Sequence, residues 1–162
     1  MVQAGVHRPM EILLVEDNPG DVRLTREAFK EARLASRLSV VGDGVEALAF
    51  LRHQGRFTDA AKPDMILLDL NLPKKSGLEV LADVKRDDNL RRTPIVVLST
   101  SRAEKDVCRS YELHANCYIS KPVDLESFIR VVRSIEKFWL TTVALPSEAD
   151  DAAAAAQTSS GH

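Results

Sequence analysis

Residues 65–73 read Met-Ile-Leu-Leu-Asp-Leu-Asn-Leu-Pro, in which the apolar run of residues 65–68 leads into the carboxylate of Asp69. A strand with one face in water would alternate apolar and polar residues, and this run does not. It is typical of a strand buried on both faces of a parallel sheet. Four further short apolar segments, most of them without alternation, lie at residues 11–15, 38–41, 95–98 and 117–119. The sequence therefore predicts five buried strands.

Segments with helical spacing lie between and after these strands. In the last one, Leu125, Phe128, Ile129 and Val132 fall at i, i+3, i+4 and i+7, and Ile135 continues the stripe. This is the pattern of an amphipathic helix with one face on a core.

Four earlier helices complete a repeat of strand and helix. The first has Asn18 placed to cap it and Pro19 at its first position. We predict the others at residues 45 to about 53, about 77 to 86, and 103–113. Five β-α units in a row predict an α/β fold, a doubly wound parallel sheet with right-handed crossovers and five helices on its two faces.

The length of 162 residues suits one globular domain, which we place at residues 10–140, after an N-terminal segment at 1–9. Residues 141–162, rich in Ala, Ser and Asp, are predicted to be a largely disordered extension. Residues 55–63 form a longer connection than the fold requires.

The composition excludes several classes of protein. A net charge of −2 gives no general attraction to nucleic acid or to an anionic membrane, so neither is an expected partner. No apolar run approaches the roughly 18 residues of a membrane span, and no secretory segment opens the sequence. Cys108 and Cys117 lie in a predicted helix and strand, which favours reduced thiols in a cytoplasmic protein over a disulfide.

Polar residues follow four of the five predicted strands. Glu16 and Asp17 follow the first strand, Asp69 the third, Ser99 and Thr100 the fourth, and Lys121 and Pro122 the fifth. In an open parallel sheet these ends share one crevice, where ligands usually bind. Any of these residues alone could be a helix cap, a turn residue or a solvated surface charge. Their convergence on one edge favours a functional site.

The carboxylates in this crevice predict a metal ion. Glu16, Asp17 and Asp69 would repel one another, and a bound cation is the natural compensation. Hard oxygen ligands with room for water and phosphate suit Mg²⁺, for which Mn²⁺ could substitute, better than Zn²⁺. A carboxylate beside such a metal can attack an activated phosphoryl group, while Lys121 neutralises charge and Ser99 donates a hydrogen bond.

Four segments resemble the signature of bacterial response-regulator receiver domains. They are residues 16–18 (Glu-Asp-Asn), 67–73 followed by Ser76 and Gly77, 94–99 (Pro-Ile-Val-Val-Leu-Ser), and 118–122 (Tyr-Ile-Ser-Lys-Pro). The resemblance covers about residues 10 to 140. It implies the flavodoxin-like receiver fold with strand order 2-1-3-4-5.

The resemblance also implies the role of each site residue. Asp69 would be the phosphoacceptor and a metal ligand, Asp17 a direct ligand, Glu16 a ligand often acting through water, and Asn71 the source of a backbone carbonyl. Lys121 would bind phosphate, Ser99 and Tyr118 would be the switch pair, and the bond before Pro122 would be cis. Receiver domains often have a smaller residue at the position of Thr100. The bulk of Thr100 could restrict access to the phosphorylation site; alternatively, Thr100 simply ends a strand.

The implied function is that of a single-domain response regulator. It would take a phosphoryl group from a histidine kinase onto Asp69 with Mg²⁺, and it would not be an enzyme beyond self-phosphorylation from a phosphodonor and slow self-dephosphorylation. A Mg²⁺-dependent phosphatase is the rival from another class, but it would carry an acid where this chain has Asn71. A pseudo-receiver that only binds partners would lack some of the residues that bind metal and phosphate, whereas this chain has all of them.

A narrower resemblance concerns the kinase. Residues 16–21, 53–55 and 138–140 are similar to those of the small response regulators that serve bacterial and cyanobacterial phytochromes. The expected partner is therefore a phytochrome-type histidine kinase, with a different, non-photoreceptor kinase as the alternative.

Output should then occur by protein contact or by phosphotransfer onward to a histidine phosphotransfer protein, because no output domain follows residue 140. Val131, Ile135, Phe138 and Trp139 extend apolar surface on the last helix. We expect a homodimer through the face formed by the fourth helix, the fifth strand and the fifth helix. Alternatively, Phe138 and Trp139 fold back onto their own domain.

Overall fold

The computed structural model describes residues 8–99, 117–121 and 124–138. Its centre is one parallel sheet with the strand order β2-β1-β3-β4-β5, as predicted. The strands are β1 (Met10–Val15), β2 (Ser36–Val41), β3 (Met65–Asp69), β4 (Ile95–Ser99) and β5 (Cys117–Ser120). The chain runs from β1 to one edge of the sheet and then returns to the other side of β1 to form β3. The topological switch point therefore lies between β1 and β3.

Four α-helices are described. They are α1 (Pro19–Ala32), α2 (Gly44–Leu51), α3 (Gly77–Arg86) and the C-terminal helix (Leu125–Phe138), with a short 3₁₀ helix at Gly55–Phe57. Asn18 caps α1 as predicted, because its side-chain oxygen accepts hydrogen bonds from the N–H groups of Gly20 and Asp21. Ser76 and Glu79 form a capping box at the start of α3.

Both faces of the sheet are buried, which confirms the interpretation of the apolar strands. Alternate residues of β1 point in opposite directions, so Ile12 and Leu14 face one layer while Leu13 and Val15 face the other. The first layer is closed by α1 and the C-terminal helix, and the second by α2 and α3. The two layers hold β1 and β3 rigidly from both sides.

The second helix ends earlier than the sequence predicts, at Leu51 and not near His53. His53 has a positive φ of 55°, and its N–H donates to the carbonyl of Phe50, while the N–H of Gln54 donates to the carbonyl of Ala49. This is a Schellman ending with histidine at the position that glycine usually takes. Without a glycine, the sequence carried no stop signal there.

The expected apolar surface of the last helix needs a correction. Ile135 is buried in the core with Phe128 and Val132, and Val131 is partly buried against the same layer. The exposed positions of the described helix are instead polar or charged: Glu126, Arg130, Arg133, Ser134 and Lys137. The amphipathic stripe is thus used to close the first core layer.

Several predictions fall outside the described residues. They concern the fourth helix at 103–113, Thr100, Cys108, Pro122, Trp139 and the extension at 141–162, together with the side chains of Cys117, Tyr118 and Phe138. In the part of the chain that is described, no helix has the length and apolar character needed to cross a bilayer.

Candidate functional site

The switch point brings acidic residues from two strands together. Asp69 is the last residue of β3, and Glu16 directly follows β1, which pairs with β3 through Val15 and Leu68. Only 2% of Glu16 and 5% of Asp69 is exposed, whereas the adjacent Asp17 is exposed. One carboxylate oxygen from each of the three lies within 4.8 Å of the others. The structure therefore assembles the predicted acidic group.

Lys121, which follows the edge strand β5, binds this acidic group. Its Nζ donates to Glu16 Oε1 at 2.5 Å, to Asp21 Oδ2 at 2.8 Å and to Asp69 Oδ2 at 3.3 Å. Only 7% of Lys121 is exposed, and its backbone N–H donates to the carbonyl of Ser99 at 2.7 Å. The end of β4 therefore fixes the lysine backbone, while three carboxylates fix its ammonium.

The charges of these residues are strongly coupled. The pKa of Glu16 is raised to about 7, because burial and a hydrogen bond with Asp69 together outweigh the opposite effect of Lys121. Burial alone would lower the pKa of Lys121, but hydrogen bonds to Asp21 and Glu16 and the charge of Asp69 outweigh it and raise that pKa. Lys121 thus stays protonated, and one ammonium only partly compensates the carboxylates around it.

The donor set fits a hard divalent cation. Glu16, Asp17 and Asp69 would hold it through oxygen atoms alone, which Mg²⁺ and Mn²⁺ accept, and the exposed Asp17 leaves the group open to solvent. No histidine or cysteine belongs to this group of described residues, so zinc is disfavoured. The remaining negative charge gives the physical reason for a cation there.

The Asp69 carboxylate is oriented at both oxygens. Oδ1 accepts the backbone N–H of Asn71 at 2.9 Å, while Oδ2 faces Lys121. This arrangement fixes the rotation of the carboxylate before any ligand binds. Asn71 lies two residues after Asp69 as expected; the role of its carbonyl in metal binding stays a prediction.

The loop after β3 folds back onto the end of that strand. The N–H of Gly77 donates to the carbonyl of Leu70, and the N–H of Leu70 donates to that of Leu98 on β4. A side chain at Gly77 would overlap the backbone of Asp69 and Leu70. Glycine is therefore required for the backbone to approach this closely, and it sets the position of Asp69.

The switch residues are only partly described. Ser99 is fully buried as the last residue of β4, opposite Ser120 in the ladder, at the same edge of the sheet as Asp69. Tyr118 lies in β5 opposite Val97. The positions along the strands agree with the predicted pair, and the turning of Ser99 and Tyr118 stays a prediction.

Two residues of the site were not assigned a role from the sequence. Asp21 binds Lys121 from the first turn of α1, and Gly77 supports the backbone of Asp69. For Asp21 there was a usable signal, because an acid in the first turn of a helix that starts at the crevice can face it. Gly77 belonged to the segments that resemble receiver domains, but its contact with the backbone of Asp69 had no signal in the sequence.

Comparison with known proteins gives a consistent result. The family model described as the response regulator receiver domain matches residues 12–133. The response regulator Rcp1 of Synechocystis sp. is 50% identical over 139 residues, which cover 86% of this chain and 95% of that protein.

Two solved structures are similar over nearly their whole length. The phosphorylated cyanobacterial phytochrome response regulator RcpA has a TM-score of 0.76 at 50% identity, covering 83% of this chain and 96% of that one. The Mn²⁺-bound form of Rcp1 has a TM-score of 0.75 at 50% identity, covering 83% and 97%.

Substitution of Gly77 tests the role of the β3 loop. We expect Gly77→Ala to destabilise the fold by about 1–3 kcal/mol, because the added methyl group forces the backbone of Asp69 to shift. It should also weaken Mn²⁺ binding, measured by calorimetric titration. Gly42→Ala is the matched control, since nothing lies within 4 Å of its added carbon. Equal effects of the two substitutions on Mn²⁺ binding would contradict this account.

Proposed function

Because the chain belongs to the response regulator receiver domain family, we propose that it accepts a phosphoryl group from a histidine kinase onto Asp69. The observation that carries the proposal is the contact of Lys121 with Asp69 and Glu16 inside a group of three carboxylates suited to a divalent cation. A nucleophile, a fixed cation and a metal-binding set thus lie at one edge of the sheet.

The transfer follows from the geometry of Asp69. One carboxylate oxygen attacks the phosphorus of a phosphohistidine, an oxygen–phosphorus bond forms, and the phosphorus–nitrogen bond breaks with its electron pair leaving on the imidazole. Asn71 and Lys121 hold the carboxylate during attack. Lys121 then neutralises a phosphoryl oxygen as negative charge redistributes.

Glu16, Asp17 and Asp69 would hold Mg²⁺, with the Asn71 carbonyl as a further ligand. The bound ion neutralises phosphoryl oxygens and so lowers the cost of bringing a phosphate to several carboxylates. The related protein Rcp1 has been solved in an Mn²⁺-bound form, which supports Mn²⁺ as a substitute here.

Ser99 and Tyr118 would read out the modification. We expect the Ser99 hydroxyl to turn toward the phosphoryl group and Tyr118 to move inward behind it. The support is positional, because Ser99 ends β4, which pairs with the strand of Asp69, and Tyr118 lies on β5, the next strand along the sheet.

The kinase is expected to be of the phytochrome type. RcpA, 50% identical to this chain, is a cyanobacterial phytochrome response regulator, and the match covers 96% of RcpA. We propose the same class of partner here, meeting the chain in the cytoplasm where ATP charges the kinase. A different histidine kinase stays the alternative.

Output would then occur through protein contact, including self-association, or through onward transfer to a histidine phosphotransfer protein. The face that includes β5 and the C-terminal helix is the candidate surface. Of the described part of that helix, the outward positions are mostly charged, so apolar contacts there depend on Phe138 and Trp139.

Phosphorylation of Asp69 can be tested directly. With acetyl phosphate and Mg²⁺, the chain should gain the mass of one phosphoryl group, measured by intact-mass spectrometry. Asp69→Asn should gain none, because the nucleophilic oxygen pair is lost, and chelation by EDTA should prevent labelling. Asp88→Asn is the matched control, since its side chain is 84% exposed and lies outside the site. Labelling of Asp69→Asn at the parental rate contradicts the proposal.

The kinase class can be tested by phosphotransfer profiling. Radiolabelled kinase domains of a cyanobacterial phytochrome and of unrelated histidine kinases are each mixed with the chain for short times. We expect transfer to be fastest from the phytochrome kinase, because a matched docking surface lowers the barrier to encounter. Equal or faster transfer from an unrelated kinase would support the alternative partner.

Self-association can be tested by sedimentation velocity with and without beryllofluoride. We expect the chain to sediment faster with the phosphoryl mimic. This increase should be absent in a Phe138→Ala, Trp139→Ala double variant. Val45→Ala, which removes an apolar side chain that is 56% exposed on α2, is the control. A monomer at high concentration under both conditions would rule out this dimer.

A further inference from the structure

Of the three described carboxylates that bind the Lys121 ammonium, Asp21 is the one with no other part in the site. An ammonium has three N–H donors, and here they point to Glu16, Asp21 and Asp69. Glu16 and Asp69 are members of the group that can hold a metal ion, and Asp69 is also the proposed nucleophile. Asp21 is not in that group.

This difference matters during phosphoryl transfer. When Asp69 becomes an acyl phosphate and Glu16 binds a cation, both oxygens that face Lys121 change their charge or their partners. Asp21 is neither the nucleophile nor a member of the metal-binding group, so neither step changes its charge. We propose that Asp21 is a positioning residue, which holds the Lys121 ammonium from the α1 side so that it stays directed at Asp69. The inference rests on the proposed function, since it assigns Asp21 a role in the reaction at Asp69.

The backbone of Asp21 is held firmly enough for this role. Its N–H donates to the Asn18 side chain at 3.2 Å, and its carbonyl accepts the hydroxyl of Thr25, a buried residue, at 2.8 Å. These contacts fix Asp21 in the first turn of α1, and α1 itself is packed against the sheet. The backbone of Asp21 is therefore fixed at a position from which its carboxylate reaches the lysine.

The surroundings of Lys121 leave it little freedom. Between its side chain, α1 and the C-terminal helix there is a cavity of only about 10 Å³, bordered by Leu24, Thr25, Leu98 and Phe128. This is close to the smallest volume that admits one water molecule. Lys121 can therefore adjust among its three partners but has little space to retreat from them.

A different role for Asp21 must be distinguished from this one. An acid in the first turn of a helix also stabilises the helix through its dipole, whatever its neighbours are. A dipole effect would be independent of Lys121, whereas a positioning effect requires it. Measuring Asp21→Asn with and without Lys121 separates the two roles.

The experiment measures the rate of labelling by acetyl phosphate and Mg²⁺ in full-length variants. Asp21→Asn should slow labelling by about three- to tenfold, the range for a weakened charged contact that is partly exposed. Glu31→Gln removes the same charge from an exposed position on α1 and should label at the parental rate. Thermal unfolding of each variant checks that the fold is intact.

Combining Asp21→Asn with a substitution of Lys121 completes a double-mutant cycle. In a Lys121→Met background, Asp21→Asn should no longer slow labelling, because the residue that it positions is gone. If Lys121→Met labels too slowly to time, Lys121→Arg replaces it, and there the effect of Asp21→Asn should shrink. A slowing by the same factor with and without Lys121 would overturn the inference in favour of a helix effect.

Metal binding provides the second measurement. Asp21→Asn should bind Mn²⁺ about as tightly as Glu31→Gln does, whereas Asp69→Asn should bind it much more weakly. If Asp21→Asn loses as much Mn²⁺ affinity as Asp69→Asn, then Asp21 is a ligand and the inference is wrong. If the parent chain is not labelled at all, the proposed function fails; if parent and Asp21→Asn are labelled equally, only the inference fails.

Discussion

The ion-pair network around Lys121 is the interaction on which the rest of the structure depends. It joins four elements that are distant in sequence, since Glu16 follows β1, Asp21 lies in α1, Asp69 ends β3 and Lys121 follows β5. Burying these charges costs free energy, and it is tolerable only because every buried side-chain nitrogen and oxygen among the described residues has a hydrogen-bond partner. The network thus gives positional specificity more than stability.

The same network leaves the site ready for a cation. One ammonium faces more carboxylates than it can neutralise. Burial is the main reason that the pKa of Glu16 is raised, and the neighbouring Asp69 adds to this rise. The excess charge lies at the point where the hydrogen-bonded loop after β3 holds Asp69 in one orientation. A protein optimised only for stability would remove such a charge imbalance; here it supplies the attraction that brings metal and phosphate together.

The fold could be predicted from the sequence because strands buried on both faces appear as short apolar runs, which can be recognised without knowing the tertiary structure. The sequence also identified Glu16, Asp69 and Lys121 because residues at strand ends share one edge in any parallel sheet. It did not assign Asp21 to the site, because the direction of a helical side chain depends on how α1 packs. It placed Ile135 both on the core stripe of the last helix and on an apolar surface, and only the packing shows that this residue lies in the core.

Lys121 also connects the site to the C-terminal helix. Its backbone N–H is bonded to Ser99, and four residues later the helix begins, capped by the Asp124 carboxylate on the N–H of Ser127. That helix packs on α1, and α1 also carries Asp21, which binds the Lys121 ammonium. The ammonium and the C-terminal helix are therefore both held by α1. A phosphoryl group that binds the Lys121 ammonium would therefore act at a point that contacts both β4 and α1. Because Ile135 and Val132 are packed into the core, the C-terminal helix and the charged residues on its outer face are fixed relative to the same core.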